Sequence, residues 1–251
     1  MAPTLKAEFK KLLSVRSTYI LTAFVAALVI FIAFYVEGWR LTPIALHDPS
    51  QFSGDVFGAL NLTVFGAIVA ILLMTHEYRY NTIMYTLTSS NSRTKVLVSK
   101  FIVVSVYALF LAVLIGILSP VMCYLGAHLH GHSFGPQTVH YWSLIWRSLF
   151  YSWGYGMVGL LLAILTRSQV GSIVTLLLLP GLADQLLGLI LKHNTVYLPF
   201  SALNQVIGDG RGGDATSSTL SPAKAAGVFV IYLVVTWLIA WLLFLRRDAT
   251  S

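Results

Sequence analysis

Six apolar runs, at roughly 17–36, 56–75, 101–124, 143–165, 170–191 and 225–245, alternate with polar segments along the chain. A helix rises about 1.5 Å per residue and the hydrocarbon core of a bilayer is about 30 Å thick, so about 20 apolar residues reach across it. Each run meets that length. Each is also apolar on every face rather than along one stripe, as in a helix enclosed by lipid or by other helices. The pattern predicts an all-α membrane protein with six transmembrane helices in a single domain over residues 1–251.

Two stretches outside the runs carry helical periodicity of another kind. Leu5, Phe9, Leu12 and Leu13 recur at i, i+4, i+7 and i+8, with Lys6, Glu8, Lys10 and Lys11 turned elsewhere. That spacing predicts an interfacial helix within residues 1–16; the alternative is a basic leader that only fixes topology. Residues 76–100 form the long polar connection between spans 2 and 3, and in it Tyr80, Ile83, Met84 and Leu87 recur at i, i+3, i+4 and i+7. A short amphipathic helix is expected there, with the Thr82 hydroxyl as its cap and Asn81 supplying a left-handed turn ahead of it. An apolar helical face outside the membrane either lies on lipid or enters a partner's groove, and spacing leaves both open.

Composition sharpens the membrane reading. With 57% hydrophobic and 10% charged residues and a mean hydropathy of +0.80, six helices of this length have too little polar protein to cover them in water. The net charge of +7 is unevenly placed. Lys6, Lys10, Lys11, Arg16, Arg79, Arg93, Lys95, Lys100, Arg167, Arg246 and Arg247 fall on one side, against Arg40, Arg147, Lys192, Arg211 and Lys224 on the other. The positive-inside rule then places both termini in the cytoplasm, so the basic pI reports topology and implies no nucleic-acid partner. The first run is longer than the 7–15 residues of a signal h-region, and no small-x-small cleavage pattern precedes Glu37, so it is expected to stay as span 1. Trp39, Trp142 and Trp146 on one side and Tyr78, Tyr80 and Tyr85 on the other suit interfacial anchoring.

The chemistry-bearing motifs fail in informative ways. Cys123 is the one cysteine, which excludes an internal disulfide and a cysteine zinc site. His76-Glu-Tyr-Arg-Tyr80 begins like a zinc-protease motif but has Tyr80 where the second imidazole must stand. Gly208-Asp-Gly-Arg-Gly-Gly213 has the glycines of a phosphate loop, yet Asp214 replaces its lysine. No nucleotide site and no cofactor are therefore expected on this chain. No apolar run holds a histidine, and Asp184 is the one carboxylate within a run. His128, His130 and His132 alternate in an outer segment, as either a weak metal site or a solvated loop. Asp184 follows Pro180-Gly181 at about 24 Å from the inner end of its span by helical rise. Arg147 stands at a similar height, so the two either form an outer-leaflet ion pair or snorkel separately to water.

Several segments together resemble one family. Glu77-Tyr-Arg-Tyr-Asn-Thr-Ile83, followed by Leu87, Arg93 and Lys100, is similar to the cytoplasmic loop of type-2 permeases of ABC exporters. Glu8-Phe-Lys-Lys-Leu12 with Arg16-Ser17, Leu165-Thr-Arg-Ser-Gln-Val-Gly171, Tyr197-Leu-Pro-Phe-Ser-Ala202, Leu220-Ser-Pro222 and Arg246-Arg-Asp248 resemble that family in the right order. Asn81 stands in place of the usual Gly, and Asn91 where many members have Pro.

The resemblance implies a six-span permease, N-in and C-in, that pairs with a second permease copy and with a cytoplasmic ABC ATPase subunit holding ATP and Mg. It implies a coupling helix carrying Glu77, Tyr78, Arg79, Tyr80, Asn81, Thr82, Ile83 and Leu87, beside an interfacial helix with Glu8, Phe9 and Lys10. It implies short outer-leaflet helices within 192–224 and a translocation path for which Asn61, Thr63 and Thr175 are the polar candidates, their other role being hydrogen bonding between helices of one protomer. The cargo expected is amphipathic: a drug, an antimicrobial peptide or a lipid. Readings from other classes are a membrane-embedded hydrolase, disfavoured by the missing histidines, and a channel-like or structural membrane protein. A neighbouring reading frame for a P-loop ATPase separates them from the exporter.

The loop periodicity carries a prediction. Ile83→Asp or Leu87→Asp leaves the chain inserted but abolishes recruitment or coupling of the ATPase, because an unpaired charge buried in a groove costs several kcal/mol, by order of magnitude. Copurification and transport assays on both variants check it, and unchanged behaviour in both excludes this face as the contact.

Overall fold

The computed structural model describes residues 2–39, 54, 56–80, 82, 85, 92–131, 141–208 and 220–246. These residues are helical nearly throughout, with no strand among them. Six of the helical segments are long and apolar enough to cross a membrane: Arg16–Trp39, Val56–Arg79, Arg93–Leu129, Tyr141–Thr166, Gln169–Ile190 and Pro222–Phe244. The predicted all-α architecture is thus found. Helix α1, Ala2–Ser14, precedes the first span. The spans contain α2 (Arg16–Phe31), continued by a π-helical stretch Ile32–Trp39; α3 (Val64–Arg79), entered through a 3-10 turn Leu60–Thr63; α4 (Arg93–Leu129); and α5 (Tyr141–Thr166). They continue with α6 (Gln169–Leu178) and α7 (Asp184–Leu191), joined by the π-helical Leu179–Ala183, and with α9 (Pro222–Arg246). Between α7 and α9 lies α8, Pro199–Ile207, too short to span.

The helices run past the apolar runs that announce them. Residues 76–79 belong to α3 and 93–100 to α4, so the polar connection shortens to residues 80–92. Helix α4 has 37 residues, about 55 Å at 1.5 Å each, well beyond the hydrocarbon thickness. Its first turns can stay helical at the membrane edge because their polar side chains find partners there, as described below. Pro120 sits inside α4, in the half away from that end. Pro180 likewise falls in the π-helical join between α6 and α7, where its missing N–H loosens the ladder.

A core of buried apolar side chains runs between α3, α4 and α5, including Leu60, Ile71, Met74, Leu97, Leu111, Ile115, Met157 and Leu160. Helix α5 packs along α3 and α4, and α9 rests on α5 and α8. Where lipid surrounds the bundle, no hydrophobic force draws helices together, so close backbone approach must do so. Gly159 supplies it between α5 and α3: a Cβ there would collide with the Ala67 carbonyl. Gly38 and Gly126 do the same between the π-helical end of span 1 and α4, where a Cβ on Gly126 would strike the Phe34 carbonyl.

The two ends of the bundle differ. Arg93 Nη1 donates to the Phe244 carbonyl at 3.3 Å, and Arg79 Nη1 donates to Gln169 Oε1 at 3.3 Å. The end of α3, the start of α4, the turn between α5 and α6 and the end of α9 therefore meet at one basic end, together with α1. The close approaches set an expectation. Gly159→Val destabilises the fold by about 1–3 kcal/mol, as overpacking against rigid backbone does, whereas Gly227→Val, which meets nothing within 4 Å, leaves it nearly unchanged. Thermal melting of both variants in detergent distinguishes them.

Candidate functional site

Four charged side chains from three helices meet at the basic end. Lys100, on α4, is fully buried, and its ammonium donates to Glu8 Oε2 on α1 and Glu77 Oε1 on α3, both at 2.8 Å, and to the Leu73 carbonyl at 3.3 Å. That satisfies all three N–H groups of the lysine. Lys11, on α1, closes the square: its Nζ lies 2.7 Å from Glu8 Oε1 and 2.6 Å from Glu77 Oε1. The two ammonium and two carboxylate groups cancel in charge, which is what allows them to leave water together. Burial pulls the Lys11 pKa down, while the hydrogen bonds and charges of Glu77 and Glu8 push it up by more, so it ends above the usual 10.5.

The periodicity of α1 places its faces only in part. Phe9 packs half-buried against the core and Lys10 is exposed, as expected. Glu8, assigned to the polar side, is instead buried at 1% exposure, and Leu13, assigned to the apolar side, is 59% exposed. The inward face is Leu5, Glu8, Phe9 and Leu12, a plain i, i+3, i+4, i+7 set in which one position is a carboxylate because Lys100 waits opposite. Hydropathy scores that carboxylate as outward; only its partner, 92 residues away, turns it inward.

Two of the family-like motifs dock on each other. The Arg167 guanidinium lies 5.4 Å from the centre of the Tyr78 ring, and Arg79 bonds Gln169. The turn that delivers them is built locally. Ser168 caps α6 by accepting the Gly171 N–H at 3.2 Å, Thr166 Oγ1 and Ser172 Oγ bond at 2.6 Å, and Arg167 takes a left-handed φ of 52° to reverse the chain. Tyr80 is exposed after α3, and the exposed Thr82 donates its backbone N–H to the Glu77 carbonyl at 2.9 Å. Asn81, Ile83 and Leu87 lie outside the described residues. Of the sequence-derived loop set the structure thus brings Glu77, Tyr78 and Arg79 into one contact network with Glu8. Lys11 and Lys100 complete the charge cluster and Arg167 and Gln169 the neighbouring contact; in the sequence all four stand within the family-like motifs.

At the opposite end the described residues include a carboxylate cap and several neutral hydrogen bonds. Asp184 Oδ2 accepts the Ser201 N–H at 2.6 Å, so it caps the first turn of α8 from a distant point in the chain. It forms no ion pair with Arg147, whose guanidinium lies 6.0 Å from the Trp146 ring centre. The reason is geometric: the π-helical join after Leu178 aims Asp184 at α8. Gln205, which the sequence did not single out, ties Val196 through its Nε2 at 3.0 Å and receives the Leu220 N–H at 2.9 Å. Asn61 is held within the protomer, its Oδ1 accepting from Tyr151 at 3.1 Å. Thr63 is buried with its hydroxyl unpaired, and Thr175 is half-buried on α6. His128 and His130 lie beside the rings of Tyr124 and Trp39; His132 is outside the described residues, and no group of three metal-ligating side chains occurs among the described ones.

A family model described as "ABC-2 family transporter protein" matches residues 4–180, a stretch that includes all four charges of the cluster. No curated protein matches the chain.

The cluster sets two expectations. Lys100→Met lowers stability by about 3–5 kcal/mol, since it strands buried carboxylates, and adding Glu8→Gln recovers part of the loss; a double-mutant cycle by thermal melting measures the coupling. The Lys11 contribution has a definite sign. Because its folded pKa is raised, it is fully present below 10.5 and lost as pH climbs through the raised value. Melting followed from pH 7 to 11.5 shows stability lost at the alkaline end in the wild type, with a smaller loss in Lys11→Met.

Proposed function

The chain belongs to the ABC-2 family of transporter proteins and is a multi-pass membrane permease of an ABC transporter; from that premise we propose that it exports an amphipathic cargo using ATP hydrolysed by a separate cytoplasmic subunit. The observation that carries this reading is the charge cluster at the basic end. It locks α1, the end of α3 and the start of α4 together, the two helix ends that the connection 80–92 joins in sequence. A partner pressing on the connection therefore moves three elements as one body instead of bending a loop, which is how ATP binding elsewhere is converted into helix motion.

In this reading the basic end faces the cytoplasm, in the cell membrane, and the ATPase binds residues 77–87 with the α1 helix alongside. ATP and Mg reside on that partner, and the permease itself is not catalytic. A second permease copy covers the span Gln169–Ile190, of which only 6% is buried within the protomer. The polar groups left for the path are Thr63 and Thr175, since Asn61 already has a partner. The outer helix α8, held by Asp184 and Gln205, caps the exit.

The decisive experiment purifies the chain with and without the ATPase encoded beside it. Alone, it neither binds nor hydrolyses ATP. With the partner, hydrolysis appears and rises with permeant amphiphiles, because a cargo with different affinity for the two access states shifts the cycle. Transport or hydrolysis at a normal rate by the chain alone overturns the exporter reading and restores the hydrolase or channel alternatives.

A further inference from the structure

Charge is matched inside the basic end and unmatched on its surface. Glu8 and Glu77, the carboxylates of that end among the described residues, are both taken up by Lys11 and Lys100. Lys6 and Lys10 on α1 and Arg16 at the head of span 1 are exposed, and none of the three forms an ion pair among the described residues.

The placement of these cations follows from the cluster. With Leu5, Glu8, Phe9 and Leu12 turned into the bundle, the outward face of α1 carries Lys6, Ala7, Lys10, Leu13 and Ser14. Lys6 and Lys10 are four residues apart and so stand on one side of the helix, about 6 Å apart along its axis. Val15, at φ −83° and ψ 118°, ends α1 directly before Arg16 opens the first span, so the three cations lie where that span leaves the bilayer.

What accompanies the charges selects their partner. Leu13 is exposed between Lys10 and Arg16, and Tyr19 and Ile20 are exposed just past Arg16. Long basic side chains with apolar neighbours hold their charges at headgroup level while the neighbours rest on acyl chains. A soluble acidic partner reaches all three cations only by also covering span residues that lipid surrounds. A polynucleotide offers phosphate but nothing for Leu13, Tyr19 and Ile20. An anionic phospholipid offers both, phosphate at the cations and chains at the apolar side chains.

We propose that the outward face of α1, with Lys6, Lys10 and Arg16, binds anionic phospholipid headgroups of the leaflet at the basic end. Glu8 and Lys11 stand on the same helix and pair with Lys100 and Glu77, so lipid held on the outward face helps to keep α1 docked. Binding is a property of the chain itself and does not depend on the exporter reading.

The test offers the purified full-length chain in detergent equal amounts of dioleoyl phosphatidylglycerol and dioleoyl phosphatidylcholine, and counts retained lipids by native mass spectrometry. A basic side chain near an anionic surface is worth roughly fivefold in affinity, so the wild type is expected to prefer phosphatidylglycerol by about tenfold or more, and the combined variant Lys6→Gln, Lys10→Gln, Arg16→Gln by about twofold or less. Lys6→Arg with Lys10→Arg keeps the preference, as does Lys224→Gln, which removes an exposed cation at the other end. Added salt weakens the wild-type preference, since exposed charges are screened. If melting shows that the triple variant does not fold, Lys6→Gln with Lys10→Gln takes its place, with a loss of at least about threefold expected. A folded variant with undiminished preference overturns the proposal, and so does an equal loss in Lys224→Gln. A folded variant that keeps its lipid preference but no longer copurifies with an ATPase overturns it too, and assigns the face to a protein partner.

Discussion

Everything at the basic end depends on a lysine that has no access to water. Lys100 cannot keep its charge in that position without acceptors on all three N–H groups, and the chain supplies them from α1 and α3. This fixes the register of three elements at once: a one-residue slip of any of them swings its charge away by about 100° and leaves the others unpaired. An apolar substitute of the same volume could be as stable, so stability is a poor account of the cluster. What the charges add is a single allowed arrangement, in a region where apolar packing alone would accept several.

Among the described residues of the opposite end, most of the hydrogen bonds join neutral groups. Asp184 caps α8, Gln205 bridges the 3-10 segment Lys192–Tyr197 and the chain entering α9, and Tyr151 joins Asn61 at 3.1 Å and Asn204 at 3.2 Å. Apart from the one to Asp184, these bonds join neutral groups, so breaking one of them strands no bare charge. The two ends are joined by a core of packed aliphatic side chains and glycine contacts.

The sequence announces the spans well because the signal is local: an apolar run of twenty residues needs no knowledge of its neighbours. It announces the ends of the helices poorly, for α3 and α4 extend into polar residues that stay helical only because Lys100, Arg93 and Arg79 find partners far along the chain. Glu8 shows the same limit in one residue, since periodicity places it on the wet face and Lys100 draws it inside. The left-handed Arg167 has no glycine or asparagine to advertise it, and height alone pairs Asp184 with Arg147 where the structure has Asp184 accepting from Ser201. Apart from the locally built turn at Arg167, the missing information is a contact between residues remote in sequence. The loop periodicity at Ile83 and Leu87 stays a property of the sequence, outside the described residues.

The order of the four cluster residues along the chain bears on biogenesis. A polypeptide leaving the ribosome presents Glu8 and Lys11 first, then Glu77, and Lys100 last. Both carboxylates, and the first of the two cations, have thus been made before the most deeply buried charge reaches the membrane. The span headed by Lys100 enters beside one whose carboxylate is already in place, so the lysine need never reside in lipid as a lone ion. Were the order reversed, the insertion machinery would have to hold a bare ammonium at the membrane edge until its counterions were synthesised.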